Sequence, residues 1–170
     1  NDRDFVKLKH KFIEAREKLA PIYYQRAIEA LTKIAEKAQE LEIHCAVESR
    51  SRYEDMPSER EMLKLQETFK DHPFVGYWHD FGHVQLKENL ELLDHEEWLR
   101  SMQPYLVGCH LHDVVWPARD HRVPLAGTVA FDRLMPLVAP EKPIVWELSP
   151  TRKKAHIKRA LPVWKERYGG

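Results

Sequence analysis

Four short apolar runs, each ending at residues that commonly bind metal ions, constrain the fold of this chain more than any other feature. They cover 43–48, 74–79, 105–111 and 143–148, and segments with helical spacing separate them. Alternating helices and strands predict a parallel sheet, and near-continuous apolar strands are typical of a sheet covered on both faces. The sequence therefore predicts an α/β fold with polar residues at the carboxyl ends of its strands.

Helical periodicity and capping residues predict the helices between these strands. Pro21 lies inside the longest pattern and is expected to kink that helix or to split it. Ser58 followed by Glu61 forms a capping box, and Thr151 is expected to cap the last helix. The predicted helices cover 12–41, 58–69, 86–93, 95–102 and 130–138, with one more after 151, and irregular loops are expected at 80–83 and 114–127.

Length and composition indicate one globular domain, 1–170, with no internal linker. Of the 170 residues, 43% are hydrophobic and 32% are charged, as in ordinary globular proteins. Lys and Arg together number 27, as do Asp and Glu, and the resulting net charge of zero argues against a nucleic-acid partner. No membrane span or signal peptide is recognisable, and Cys45 and Cys109 do not make a disulfide framework, so a cytoplasmic location is expected.

The period-two geometry of strands predicts which side chains share the inner face of the sheet. If Glu48 and His110 point inward, both cysteines face the helices. Three carboxylates with imidazoles suit Mn, Zn, Co or Mg, and the absence of thiolates argues against a structural zinc centre. The alternative is a buried salt-bridge network at the strand ends. The predicted inward set is Glu48, Asp80, His83, His110, His112 and Glu147, whereas His10, His72, His95 and His156 are expected at the surface.

Five segments resemble the xylose isomerase-like barrels, the superfamily of sugar phosphate isomerases and epimerases and of type-two AP endonucleases. The segments are Ala-Val-Glu48-Ser-Arg50, Gly-Tyr-Trp-His-Asp80-Phe-Gly-His83, Gly-Cys-His110-Leu-His-Asp113, Asp120-His121 and Trp-Glu147-Leu-Ser-Pro. The resemblance covers about 31–150 and implies an eight-stranded (β/α) TIM barrel, of which this chain is similar to the last four βα units. Four strands cannot close a barrel, so a missing N-terminal half or a second copy is expected to complete it. The chain starts at Asn1 and enters a long helix at once, so the natural protein is expected to continue upstream.

The resemblance also implies roles for individual residues. The four metal ligands of the epimerase members match Glu48, Asp80, His110 and Glu147. Glu48 and Glu147 also match the acid/base pair of those enzymes. His83 matches a residue that binds substrate in epimerases or metal in the nucleases.

Two further segments resemble the family less closely. Asp120 and His121 are similar to an additional metal pair of the nucleases, but they are adjacent here and separated by one residue there. The family usually continues with Pro-Gly-x-Gly, where this chain has Pro124-Leu-Ala-Gly127.

The chemistry of these residues supports a proton transfer between neighbouring carbons. Such a reaction needs a base, an acid and a charge that stabilises an enediolate, which one divalent ion (Mn, Zn, Co or Mg) binding the substrate oxygens supplies. Glu48 and Glu147 can remove and return the proton. We therefore expect an isomerase or epimerase of carbohydrate metabolism that acts on a sugar, sugar phosphate or polyol-like hydroxyketone through a metal-bound enediolate. Candidate substrate contacts are Arg50 and Trp116, and candidate hydrogen-bond partners behind the ligands are His79, His112 and Asp113.

Two other classes of function remain open from the sequence. An AP-endonuclease-like hydrolase of phosphodiesters would use three metal ions on a flipped abasic nucleotide. A half-barrel that does no chemistry and serves as a folding unit or scaffold is the other alternative.

Overall fold

The computed structural model describes residues 2–169 of the chain. It has six α-helices and six strands among those residues, with short 3₁₀ turns at Gln103–Tyr105 and Met135–Leu137. The helices are α1 Arg3–Leu41, α2 Glu59–Thr68, α3 Phe81–Asn89, α4 His95–Met102, α5 Phe131–Leu134 and α6 Lys154–Tyr168. The strands are β1 Cys45–Glu48, β2 Val75–Asp80, β3 Leu106–Leu111, β4 Asp113–Val115, β5 Arg119–Arg122 and β6 Ile144–Trp146.

The four predicted apolar runs form one parallel sheet in the order β1-β2-β3-β6. The register places Asp80 opposite His110 and Glu48 opposite Trp78, so the carboxyl ends of neighbouring strands lie level with one another. A parallel arrangement brings the polar residue at the end of each strand to the same edge of the sheet. The predicted α/β fold with a parallel sheet is confirmed.

Helices cover one face of the sheet and leave the other face open. The buried core packs between the strands and α2–α6, and it includes Tyr77, Leu99 and Leu111. The opposite face lines a cavity of about 670 Å³, which is bounded by Ala46, Trp78 and other residues of β1–β3. Among residues 2–169, strands β1 and β6 each keep one edge without a partner strand. The prediction that both faces are covered is therefore wrong for the described residues.

The first helix is a single element of 39 residues that runs through Pro21. Of the two outcomes predicted for Pro21, a kink or a split, the split is wrong. Packed residues on both sides of the proline, among them Arg16 and Leu31, hold the two halves in one helix despite the hydrogen bond that proline removes. The helix ends at Glu42, which takes a left-handed conformation with φ 53°, and its N–H donates to Ala38 O.

The ends of two other helices also differ from the sequence prediction. No loop follows Asp80, because its Oδ1 accepts a hydrogen bond from the His83 N–H (2.8 Å) and thereby caps α3 at once. Thr151 does not cap α6, which begins at Lys154. The Thr151 hydroxyl instead pairs with that of Ser149 (2.9 Å). The Ser58–Glu61 prediction is confirmed, since Glu61 accepts from the Ser58 N–H at 2.7 Å.

The predicted irregular segment 114–127 contains an antiparallel pair of short strands, β4 and β5. The pairing joins Asp113 to Arg122 and Val115 to Arg119, with an irregularity between the two pairs. Strands this short carry no readable periodicity, so tertiary pairing and not local pattern creates them. The β4–β5 hairpin, 113–122, places His121 beside the carboxyl end of the main sheet, because Ser149 N–H donates to His121 O at 3.1 Å.

Both cysteines are free thiols. Cys109 is buried between the sheet and the helices, and that burial raises the pKa of its thiol to about 12. No helix in the part of the chain that the structure describes combines the length and the hydropathy needed to cross a membrane.

Candidate metal centre

Asp80 is the most buried carboxylate at the carboxyl edge of the sheet, and its two oxygens have different surroundings. Oδ1 caps α3 through the His83 N–H, and it lies 3.0 Å from His112 Nε2. Oδ2 is buried and has no hydrogen-bond partner among the described residues. Burial alone would raise the pKa of Asp80, but His112 and His83 outweigh it and lower that pKa to about 2. Asp80 is therefore ionised at neutral pH, with one oxygen available to a cation.

Three carboxylates converge on one imidazole nitrogen at this edge. His110 Nδ1 lies 2.5 Å from Glu48 Oε1, 3.6 Å from Glu147 Oε2 and 3.9 Å from Asp80 Oδ2. One ligand atom from each of these four residues lies within 4.8 Å of the others. Glu147 Oε2 is a second buried oxygen without a hydrogen-bond partner.

This donor set fits a divalent cation better than a salt-bridge network. The surrounding histidines still leave two buried acceptors, Asp80 Oδ2 and Glu147 Oε2, without hydrogen-bond partners among the described residues. Such acceptors are costly unless something else binds them. Three oxygens and one nitrogen are the donors that Mn, Zn, Co and Mg accept. The residues Glu48, Asp80, His110 and Glu147 therefore fit one such ion.

A second group of potential ligands shares Glu147 with the first. It consists of His83, His112, His121 and Glu147, whose ligand atoms also lie within 4.8 Å of one another. His83 Nδ1 pairs with the Ser49 carbonyl oxygen at 2.9 Å, which leaves its Nε2 available. His121 Nε2 lies 3.7 Å from Glu147 Oε2, although its neighbour Asp120 is not part of the group.

His112 connects the two groups through both of its ring nitrogens. Nδ1 accepts a hydrogen bond from the His121 N–H at 2.9 Å, so the proton of the neutral ring lies on Nε2 and faces Asp80. Burial lowers the pKa of His112, but the contact with Asp80 outweighs it and the pKa is raised. Gly82 makes room for this ring, because a Cβ there would lie 1.8 Å from His112 Cε1. Only glycine allows α3 to start so close to the site.

Several residues predicted from the sequence belong to neither group of potential ligands. Arg50 pairs with Asp55 at 3.8 Å in the loop after β1, and Asp120 pairs with His121 Nδ1 at 3.2 Å. Trp116 lies at the turn of the β4–β5 hairpin with 59% of its surface exposed. The Asp113 carboxylate accepts hydrogen bonds from the Gly127 and Val129 N–H groups, so this side chain orders the following loop.

The loop that departs from the family pattern has an unusual backbone. Leu125 has φ 69°, a left-handed conformation that side chains with a Cβ rarely adopt. Leu125 occupies the position at which the family that this chain resembles usually has the first glycine of Pro-Gly-x-Gly. Leu125 therefore adopts a conformation that glycine adopts more readily than leucine.

A buried hydrogen-bond chain behind β2 was missed by sequence reasoning. Trp98 Nε1 donates to the Tyr77 hydroxyl (2.9 Å), which lies 2.9 Å from His79 Nδ1, and His79 Nε2 lies 3.0 Å from His95 Nε2. The prediction that His95 lies at the surface is wrong, since the residue is fully buried. Burial lowers the pKa of His79 to about 3, so both rings are neutral at neutral pH. The expectation that His79 is a hydrogen-bond partner behind the ligands is therefore wrong, since its ring bonds to Tyr77 and His95 on the helix side. The alternation of residues along β2 was the available signal.

A parallel sheet with helices on one face and a ligand set at its carboxyl edge defines a barrel-type α/β protein with a candidate metal site. The sequence model of the family described as xylose isomerase-like TIM barrel matches residues 10–166. The chain belongs to that family.

Comparison with solved structures supports the same fold. D-psicose 3-epimerase from Clostridium cellulolyticum H10, solved with D-tagatose, is similar with a TM-score of 0.62 and 19% sequence identity. The match covers 86% of this chain and 49% of the epimerase chain, so this chain spans about half the length of that enzyme. Comparison with curated proteins finds no match.

Proposed function

We propose that residues 1–170 form the C-terminal half of a metal-dependent sugar isomerase or epimerase barrel. The main support for this proposal is that ligand atoms of four residues converge, namely Glu48, Asp80, His110 and Glu147. One oxygen of Asp80 and one of Glu147 have no hydrogen-bond partner among the described residues. Family membership and the similarity to a sugar epimerase support this assignment. The open sheet face and the two free strand edges leave space for the other half of a barrel.

Four residues of the proposed site would hold one divalent ion. Glu48, Asp80 and Glu147 supply carboxylate oxygens, and His110 supplies Nδ1. The ion would supply positive charge to the carbonyl and hydroxyl oxygens of a hydroxyketone. Asp80 is the fixed member of the set, because its burial, its helix cap and its low pKa keep it ionised in one orientation.

The two glutamates are suited to handle the proton. Glu48 lies on β1 and Glu147 follows β6, which are the first and last strands of the sheet, so their carboxylates approach from opposite sides. A substrate carbon between them could lose its proton to one carboxylate and regain a proton from the other. Each glutamate would give one carboxylate oxygen to the ion, which leaves its second oxygen to accept or return the proton.

Exchange of substrate hydrogen with solvent tests the proposed reaction. Protein loaded with Mn²⁺ or Co²⁺ is expected to incorporate deuterium from D₂O next to the carbonyl of at least one ketose, as followed by NMR. Chelator-treated protein is the control and should lose the exchange. Metal-loaded protein that exchanges no ketose hydrogen would contradict the proposal.

A phosphodiester hydrolase is the second candidate, and the ligand group of His83, His112, His121 and Glu147 favours it. Several metal ions near one another can activate water and stabilise the leaving oxygen. The AP endonucleases of the superfamily that this chain resembles use three metal ions.

Metal stoichiometry separates the two candidates. Elemental analysis after dialysis is expected to give about one ion per chain for the isomerase and about three for the nuclease. The Asp80→Asn variant should lose the single ion, whereas His121→Ala should keep it because His121 belongs only to the second group. Loss of an equal fraction of metal in both variants would favour the nuclease.

A further inference from the structure

A basic cavity lies on the hairpin side of α6, apart from both ligand groups. It has a volume of about 440 Å³ and is bounded by the chain after β4 and by the first turns of α6. Four of its lining residues carry positive or titratable nitrogen groups: Arg122, Arg152, His156 and Arg159. His121 belongs to the second ligand group, and its neighbour Arg122 lines this cavity.

The arginines of this cavity form no ion pair among residues 2–169. Within residues 2–169, the arginines in ion pairs are Arg16, Arg50, Arg100 and Arg133, none of which lines the cavity. Arg152 Nη2 donates to the Thr151 hydroxyl, but Arg152 Nε is buried and has no acceptor. A buried guanidinium donor without an acceptor is unfavourable, and an oxyanion in the cavity would satisfy it.

The remaining lining of the cavity is apolar. It includes Leu125 and Val163, and no acidic residue belongs to the lining. The volume is typical of a site for a small molecule, and mixed apolar and arginine walls suit a ligand with one anionic group and a carbon framework.

The position in the fold also suits an anion. TIM barrels frequently bind phosphate groups with the loops that follow their last two strands. The cavity is formed by the segments that follow β3 and β6, the last two strands of this sheet. We propose that this cavity binds the phosphate group of a small organic phosphate monoester through Arg122, Arg152 and Arg159, with the carbon part against Leu125 and Val163.

Calorimetric titration of the metal-free protein tests this site separately from the proposed reaction, because chelation empties the metal centre first. The probes are phenyl phosphate, inorganic phosphate and phenol at low ionic strength. Phenyl phosphate is expected to bind at least about tenfold more tightly than either of the others, and its affinity should fall as salt is added. Equal affinity for phenyl phosphate and phenol would overturn the proposal.

Substitutions locate the binding to the cavity. Arg159→Gln and Arg152→Gln should each weaken phenyl phosphate binding by about tenfold, since each removes a charge-assisted hydrogen bond. Arg167→Gln makes the same change at an exposed position in the last turn of α6 and should bind as the unmodified protein does. Variants that fold and bind phenyl phosphate normally would overturn the assignment. A single-stranded oligonucleotide that displaces phenyl phosphate at lower concentration would overturn the choice of a small ligand.

Discussion

Replacing Glu147 by glutamine is expected to reduce deuterium exchange into a ketose by about a hundredfold or more, the usual contribution of a general base. Glutamine keeps a similar shape and an oxygen that can bind a cation, but it cannot accept a proton from carbon. The substitution replaces one of the two Glu147 carboxylate oxygens by an amide NH₂ group and removes the negative charge. NMR-monitored exchange in D₂O at saturating Mn²⁺ measures the effect, and metal content is determined on the same sample.

Two comparisons make the Glu147→Gln result specific. Glu48→Gln should give a loss of similar size, because Glu48 is the proposed partner that handles the proton on the opposite side. Glu166→Gln changes an exposed glutamate of α6 and should leave exchange unchanged. A Glu147→Gln protein that holds its metal and exchanges deuterium at the normal rate would exclude Glu147 as the base.

Replacing Arg16 by methionine is expected to lower the free energy of unfolding by about 3–5 kcal/mol, the usual cost of breaking a buried ion pair from one side. Arg16 of α1 donates two hydrogen bonds to Glu61 of α2, at 2.6 and 2.5 Å, and both residues are 8% exposed. Arg16 also donates to the Tyr53 and Asp55 carbonyl oxygens, so it joins α1 to the loop before α2. Urea unfolding followed by circular dichroism measures the change.

The paired variants for Arg16 separate charge burial from loss of packing. Arg16→Met combined with Glu61→Gln should recover part of the stability, because no unpaired charge stays buried and glutamine can still accept from the Ser58 N–H. Arg100→Met breaks an exposed pair with Glu96 (2.7 Å) and should cost less than about 1 kcal/mol. Equal costs for the Arg16 and Arg100 variants would show that the α1–α2 pair does not anchor the first helix.

The Arg16–Glu61 pair also predicts a pH dependence of stability. Burial raises the pKa of Glu61, but hydrogen bonds from Arg16 and Ser58 outweigh it, and the folded-state pKa is lowered. A lowered folded-state pKa stabilises the protein above the ordinary pKa of a glutamate, and that stabilisation is lost as the pH falls through the folded-state value. In the Arg16→Met, Glu61→Gln double variant, the free energy of unfolding should therefore fall less steeply as the pH is lowered below the ordinary glutamate pKa.

Much of the site could be predicted from the sequence because parallel strands place all their carboxyl ends at one edge of the sheet. Four apolar runs that end in acids or histidines place those ends at one edge, whatever the lengths of the connections. Strand geometry therefore predicted one inward-facing set, and the family resemblance implied which four of its members bind the metal. The inward set is Glu48, Asp80, His83, His110, His112 and Glu147. The structure brings ligand atoms of the four implied ligands, Glu48, Asp80, His110 and Glu147, within 4.8 Å of one another.

Contacts between distant segments could not be predicted from the sequence, because they depend on tertiary packing and not on the local pattern of residues. Asp113 follows the same strand as His110 but binds the backbone of the loop near Gly127. Arg16 reads as a solvated helix residue, and only the position of Glu61 explains its burial. His95 is buried because α4 packs its ring against His79.

The sequence by itself determined the parallel α/β sheet, the order of its strands along the chain and the residues at their carboxyl ends, since side-chain periodicity is a local property. Tertiary structure alone decided the β4–β5 hairpin, the orientation of His112 toward Asp80 and the arginine-lined cavity beside α6. Each of these depends on how two remote segments pack, and the free energy of that packing belongs to neither segment alone. Among the residues that the structure describes, β1 and β6 each have one unpaired edge for the same reason, because a barrel closes only when further strands pair with such edges.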